Sequence, residues 1–362
     1  MKKLRIGIIG TGGIAHAHAN AYKNIEEVEI VGGADIVPGK AKAFFEEMGL
    51  PEAKAFEDHR KLLEMELDGI SVCTYNSQHS VCAIDALNAG LNVLLEKPMT
   101  ITLDQALGIM RAEKKNDRFV TIGFQPRYDV NMQKIKNIVQ SGALGRVYYV
   151  QTGGGRRRGI PGGTFINKEK AGVGCLADIG CYALDLAMNT IGYPKPLTVS
   201  ATATNYFGTN PKYSPDAKDF QVDDFSSAYV RLEGGIVLDF RMGWAMHMDT
   251  TGDFIFLGTD AGLKVKQSNP GADWSGAWDG EIGGITLMHD QFDTRTSTPI
   301  PLAQNYGPWL FEKKVRAYID AVVNHKPAPI PTKEIIYNQA IIDGIIRSNA
   351  AGHEVEVNIE QV

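Results

Sequence analysis

Leu4-Arg5-Ile6-Gly7-Ile8-Ile9-Gly10-Thr11-Gly12-Gly13-Ile14-Ala15 decides the fold. A short β-rich apolar run, residues 4–9, ends in a glycine turn that opens a helical pattern at residues 14–22. Gly10 to Ala15 has the G-x-G-x-x-A spacing of a dinucleotide-binding turn. Glycine at 10 permits the tight turn, glycine at 12 lets the backbone approach a pyrophosphate, and a small residue at 15 lets the helix pack on its strand. The N–H groups that begin the helix, at Gly13 and Ile14, then face the anion. Its place between a first strand and a first helix gives the spacing its meaning.

Outward from this turn, strand-like runs at 28–34, 68–74, 92–95 and 119–123 alternate with helical ones at 39–48, 79–89 and 103–115. Continuous apolar strands alternating with helices predict a doubly wound parallel sheet of Rossmann type, covered on both faces. Residues 1–124 form this expected domain. Residues 125–362 read as a second α/β domain. It has a helix at 130–140, strands at 146–152, 196–206, 225–232, 236–246, 254–258 and 263–266, and a helix from about 174 to 191. Gly-rich turns such as Glu233-Gly234-Gly235 predict a largely antiparallel, open sheet. Helical patterns at 309–323 and 334–349 are expected to pack back on the first domain.

Three further stretches carry candidate chemistry. Asp35 ends the second strand, 25 residues after Gly10, where a carboxylate accepts hydrogen bonds from ribose hydroxyls and repels a 2′-phosphate. The next residues, Ile36 and Val37, offer no basic replacement, which favours NAD over NADP. Glu96-Lys97-Pro98 follows a strand, so Lys97 points from a strand end towards a ligand crevice. Asp178, Tyr182 and Asp185 are spaced i, i+4 and i+7 on an otherwise apolar helix. That stripe reads equally as a buried hydrogen-bond network or as a substrate-facing surface.

The 37 Lys and Arg against 42 Asp and Glu give a net charge of −5, no basis for a nucleic-acid partner. No apolar run approaches the ~18–20 residues of a bilayer span, so no membrane partner is expected. Cys73, Cys82, Cys175 and Cys181 show no C-x-x-C pairing, and the histidines show no metal-ligand spacing. Reduced thiols, no metal and a cytoplasmic location are the expectation. His16 and His18 read as solvated. Tyr206, Phe207, Tyr213, Trp244, Trp274 and Trp278 are candidates for the floor of a sugar pocket, and 208–223 for a lid or oligomer contact.

These residues together resemble the Gfo/Idh/MocA family of NAD(P)-dependent oxidoreductases. The resemblance covers essentially the whole chain and rests on four features in order. They are the glycine turn, Thr74-Tyr75-Asn76-Ser77-Gln78-His79 in place of T-P-N-x-x-H, Glu96-Lys97-Pro98, and the helix from Asp178 to Asp185. It implies that Asn76, His79 and Arg127 contact the cofactor and that Glu96 contacts the nicotinamide ribose. Lys97 would hydrogen-bond the reacting hydroxyl, and Asp178 would position the substrate. Many members have histidine where this chain has Tyr182, whereas the glucose–fructose oxidoreductase and dihydrodiol dehydrogenase branches have tyrosine. A phenol ordinarily titrates near 10, so either Lys97 assists Tyr182 as base or Lys97 takes the proton itself. The loop Arg156-Arg157-Arg158-Gly159-Ile160-Pro161-Gly162-Gly163 is similar to a subset that oxidises glucosides to 3-keto sugars. The implied function is transfer of hydride from a sugar or glycoside hydroxyl to NAD by a homo-oligomer. The alternatives are a glycosidase that oxidises its sugar transiently and a dinucleotide or sugar sensor without turnover.

Overall fold

The computed structural model describes residues 3–268 and 282–362, and Trp274 and Trp278 lie outside them. The alternation in the first third of the chain builds one sheet. Its strands are β1 (Leu4–Ile9), β2 (Val28–Ala34), β3 (Lys54–Phe56), β4 (Gly69–Val72), β5 (Asn92–Leu95) and β6 (Val120–Ile122). They lie in the order β3-β2-β1-β4-β5-β6 with every pairing parallel. That is the doubly wound order of a Rossmann fold, and it reverses beside β1, where such sheets bind ligands at the strands' carboxyl ends. Ile6, Ile8, Ile70, Val72, Val93, Leu94 and Leu95 are fully buried, which explains strands without polar alternation. Helices α1 (Gly13–Lys23), α2 (Lys40–Glu47), α3 (His59–Leu63), α4 (His79–Asn88) and α5 (Leu103–Asn116) connect the strands.

The chain divides into two units. The first comprises residues 1–125 and 307–336 with Val362, and the second residues 126–306 and 337–361. In the second, helices α6 (Val130–Gln140), α7 (Lys168–Ala171) and α8 (Cys181–Ile191) accompany nine strands. These are β7 (Val147–Gln151), β8 (Pro196–Thr204), β9 (Phe225–Leu232), β10 (Ile236–Gly243), β11 (Phe254–Gly258), β12 (Ala261–Gln267), β13 (Ile282–Gln291), β14 (Thr294–Ile300) and β15 (Val355–Glu356). Their order is β14-β13-β12-β11-β7-β10-β9-β8-β15, antiparallel except where β7 meets β10. One face is core, with Val150, Val230, Leu238 and Phe256 buried, and the other carries Tyr149, Tyr229, Val237, Ile255 and Leu257.

Three findings depart from the sequence reading. The helix expected from about 174 enters as a π-helical turn, Leu176–Gly180, before α8 begins. Together with α7, the stretch Lys168–Ile191 is 24 residues long and apolar enough to cross a membrane by length and composition, contrary to the expected absence of such a run. It is 83% buried over its most apolar window, as a core helix is. Finally, α9 (Leu310–Val323) and the first turn of α10 (Thr332–Ala351) belong to the first unit. There Val315, Tyr318 and Ile319 join Ile6, Ile8, Tyr22 and Leu94 in one core. The Tyr318 hydroxyl donates to Asn92 O at 2.8 Å and accepts from Ile70 N at 2.9 Å, so α9 bridges β4 and β5.

Candidate active site

In the first unit the glycine turn is shaped as its sequence requires. Gly10 has φ +85°, and a Cβ there would lie 2.8 Å from the backbone of Cys73 and Thr74. Any side chain would both strain the turn and strike β4's continuation. Gly12 caps α1 without a side-chain hydrogen bond, and a Cβ at Gly12 or Gly13 would meet nothing within 4 Å. An open space therefore lies over uncapped N–H groups, which suits a pyrophosphate. Ile14 is half-buried and Ala15 fully buried against the sheet. The Thr74 hydroxyl, at the end of β4, is buried without a hydrogen-bond partner among the described residues, a polar atom left for a ligand. These features fit NAD.

Asp35 is fixed beside this turn. Its Oδ2 accepts from Thr11 N at 2.9 Å and Thr11 Oγ1 at 3.1 Å, and its Oδ1 from Val37 N at 3.0 Å. Lys40 Nζ stands 3.0 Å from Oδ2. Burial opposes ionisation of Asp35, but the Val37 and Thr11 N–H groups and the Lys40 ammonium outweigh it and hold the carboxyl below its ordinary value. The basic neighbour that Ile36 and Val37 do not supply thus arrives at position 40.

The ends of β4 and β5 hold the next candidates. Asn76 opens a half-buried 3-10 turn after β4. His79 is buried, its Nδ1 2.7 Å from Pro98 O and its Nε2 3.1 Å from Thr74 O. Burial lowers its proton affinity despite those carbonyls. The ring faces inward and ties the two strand ends together, where direct cofactor contact was expected. Glu96 also turns inward, 3% exposed, with Oε1 at 2.7 Å from His18 Nε2 and paired with Lys314 Nζ. That position is an ion pair rather than a ribose contact, and His18 is buried rather than solvated. Lys97 is half-buried, donates its N–H to Glu96 Oε2 at 3.3 Å, and precedes a cis peptide bond to Pro98.

In the second unit, Arg127 was expected at the cofactor. Its guanidinium instead grips Asp185, Nε to Oδ2 at 2.9 Å and a terminal nitrogen to Oδ1 at 2.7 Å. Tyr193 and Asn338 add donors to Oδ1 at 2.7 and 3.3 Å. For Asp185 the buried-network reading holds. The π-helical turn breaks the expected stripe, because it takes more residues per turn than an α-helix. Asp178 lies on that turn, half-buried, with Oδ2 accepting from the Trp244 indole at 2.9 Å. Tyr182 follows, half-buried, in the first turn of α8.

Asp223 fixes the start of this helical stretch. Its Oδ1 accepts from Gly174 N at 2.6 Å and its Oδ2 from Leu176 N and the Cys175 thiol, each at 3.0 Å. A carboxylate there also complements the helix dipole. The adjacent Asp224 is buried and accepts from Phe207 N at 2.7 Å and Gly208 N at 2.6 Å. Consecutive aspartates therefore fasten the helix that carries Asp178 and the beginning of loop 208–223. Of the loop arginines, Arg157 is exposed, Arg156 is buried, and Arg158 stacks 4.9 Å over Phe207 and 4.7 Å over Tyr213. The loop is therefore not a uniformly solvated basic run. Tyr206 is 75% exposed, whereas Trp244 is fully buried.

Sequence reasoning passed over Lys40, Lys314, Asp223 and Trp244. Lys314 did leave a signal: it sits four residues before Tyr318, on the face of α9 that reads as core.

A Rossmann unit with an open glycine turn, joined to a sheet unit whose helix presents a carboxylate and a phenol, defines a two-domain dinucleotide-dependent oxidoreductase. Residues 4–124 match the family "Oxidoreductase family, NAD-binding Rossmann fold", and residues 132–264 match the "GFO/IDH/MocA C-terminal domain". The D-glucoside 3-dehydrogenase of Escherichia coli (strain K12) is 31% identical over 252 residues, 68% of this chain and 71% of that one. The glucose-6-phosphate 3-dehydrogenase of Bacillus subtilis (strain 168) is 31% identical over 246 residues, 66% and 67% of the two chains. A levoglucosan dehydrogenase solved with NADH superposes with a TM-score of 0.80 at 19% identity, over 99% of this chain and 100% of that one, and shares the fold. The chain belongs to the Gfo/Idh/MocA family of oxidoreductases, and its first unit is an NAD-binding domain.

Proposed function

We propose that this enzyme oxidises a secondary hydroxyl of a sugar or glycoside, at C3 of a glucoside, and delivers the hydride to NAD. The observation that carries the reading is Asp178, a half-buried carboxylate aimed by the Trp244 indole, one turn before the Tyr182 phenol. A paired acceptor and hydroxyl on a capped helix suit a polyhydroxylated ring. The 31% identity to a D-glucoside 3-dehydrogenase supports the choice of C3.

Gly10, Gly12, Gly13, Ile14, Asp35 and Asn76 are assigned to holding NAD, which when bound accepts the hydride. Lys97 is assigned to the reacting hydroxyl, Asp178 to orienting the sugar, and Tyr182 or Lys97 to taking the hydroxyl proton. Glu96, His79 and Arg127 support these groups through Lys97, the strand ends and Asp185 respectively. The proton acceptor is decided by Tyr182→Phe. If the phenol is the base, kcat falls by about 10²–10⁴; if Lys97 is, it falls by less than about tenfold. Lys97→Met abolishes turnover in both cases, and normal turnover by that variant overturns the proposal.

The half-exposed Tyr149, Val237, Ile255 and Leu257, with exposed Tyr229, favour a homo-oligomer built on the outer sheet face. Light scattering on the eluted protein tests this, with a monomer as the contrary result. Four free, buried thiols and a net charge of −5 support a cytoplasmic enzyme without nucleic-acid or membrane partners.

A further inference from the structure

Lys314 lies on the core side of α9, 1% exposed, and a lysine so buried requires an anion. Glu96 provides it from the end of β5. Its Oε1 receives the Lys314 ammonium and lies 2.7 Å from Nε2 of His18 on α1. The other face of His18 meets Ser71 Oγ at 3.1 Å, which in turn lies 2.8 Å from the Tyr22 hydroxyl. Glu96 Oε2 accepts the backbone N–H of Lys97. Gly123 leaves room for this carboxylate, since a Cβ there would come within 2.8 Å of Oε1.

The charges of this cluster balance. Burial opposes the Glu96 carboxylate, yet Lys314 and His18 bring its pKa well below the usual range. Burial, and then Lys314, keep the proton affinity of His18 low. Glu96 is thus an anion, Lys314 a cation and His18 neutral. The other titratable groups around Glu96 are Tyr22 on α1, Cys73 after β4, His79 on α4, Tyr318 on α9 and Lys97 itself. Burial pushes Tyr22, Cys73 and Tyr318 up and His79 down, so those four stay uncharged.

We infer that Lys314 is a positioning residue for Lys97: it holds Glu96 as a buried anion whose second oxygen fixes the backbone from which Lys97 projects, with His18 as a reserve cation. The inference rests on the proposed role of Lys97 at the reacting hydroxyl. Removing the Lys314 charge removes one of the two influences that keep His18 neutral. At low pH an imidazolium then replaces the lost ammonium beside Glu96. At high pH the carboxylate is left buried with no cation, and it either shifts or draws a proton.

The test compares the native enzyme with Lys314→Met, Lys314→Arg and Lys97→Met, and with the double variant Glu96→Gln/Lys314→Met. The double variant buries no charge in the cluster and guards against a single variant that fails to fold. In Lys314→Met, kcat falls about tenfold near pH 6 and about 100-fold near pH 9, the scale on which small misplacements act. KM for the sugar and Kd for NAD change less than about threefold. Lys314→Arg removes the pH dependence of the defect, and the double variant exceeds Lys314→Met near pH 9. In the NAD-free protein, nitrogen NMR shows the His18 protonation midpoint rising by about one pH unit in Lys314→Met. An equal loss at both pH values, a double variant no better than the single one, or an unmoved His18 overturns the inference. If Lys97→Met retains turnover, the proposed role of Lys97 fails; if it is inactive while Lys314→Met behaves as native at both pH values, only the positioning role fails.

Discussion

Asp35→Asn should reverse the balance between NAD and NADP, because Lys40 already stands beside the carboxylate. Hydrogen bonds to a charged acceptor contribute about 1.5–3 kcal/mol each. Losing that charge at one or two ribose hydroxyls weakens NAD by roughly 10–100-fold, at about 1.4 kcal/mol per factor of ten. For NADP the sign is opposite. The Lys40 ammonium, 3.0 Å from Asp35 Oδ2 with its side chain 43% exposed, loses its neutralising partner and becomes available to a 2′-phosphate. Unit charges at about 4 Å interact by about 4 kcal/mol at an effective dielectric of about 20. Solvent screening at so exposed a side chain reduces this to about 1–2 kcal/mol, roughly tenfold in favour of NADP. The ratio of the two affinities thus moves by about 10²–10³. The asparagine keeps one acceptor oxygen, so either Thr11 N or Val37 N loses its partner, at about 1 kcal/mol of stability. Calorimetric titration with both cofactors at low salt, with thermal unfolding as a folding control, measures this. A ratio within threefold of native in a folded variant would refute the assignment of Asp35 to the ribose.

The Glu113 carboxyl accepts from Val120 N at 2.6 Å and Thr332 Oγ1 at 2.5 Å, yet burial pushes its pKa up to about 7. A native pKa above the unfolded value near 4.3 means that stability present at low pH is lost as pH rises to about 7, by up to about 3 kcal/mol. Glu113→Gln should flatten that slope, read as melting temperatures between about pH 5 and pH 8; an unchanged slope contradicts it. Asp223→Ala frees Gly174 N, Leu176 N and the Cys175 thiol together, so it should cost about 1–3 kcal/mol of stability and lower kcat with little effect on NAD affinity. Chemical denaturation and NAD titration check both halves. Gly10→Ala places a Cβ 2.8 Å from the Cys73 backbone at φ +85° and should weaken NAD by more than about 100-fold, as measured by fluorescence titration.

The first unit was readable because its information is local. Each buried strand is a short apolar run, and Gly10-Thr11-Gly12 marks the turn by what side chains forbid there. Strands β13 and β14 went unread because Thr294-Arg295-Thr296-Ser297-Thr298 is polar and Gly283-Gly284 interrupts its partner. Their pairing comes from the backbone ladder, with Ile285 opposite Ile300. The π-helical turn has no signature in hydrophobic spacing, since one extra residue per turn leaves the apolar residues in place. At the site, the pattern gives positions and not directions. Glu96, His79 and Arg127 stand where expected but face inward, and the partner that turns Glu96 is Lys314, 218 residues away. Only the fold brings such a partner into reach.

The central claim is most directly tested by mass spectrometry of the purified protein mixed with NAD and a panel of glucosides, with NADH absorbance and free aglycone followed alongside. Loss of two hydrogens from an intact glucoside, matched by NADH and located at C3, is the result predicted here. Aglycone released without net NADH, or no product from any glucoside while NAD binds, would contradict it.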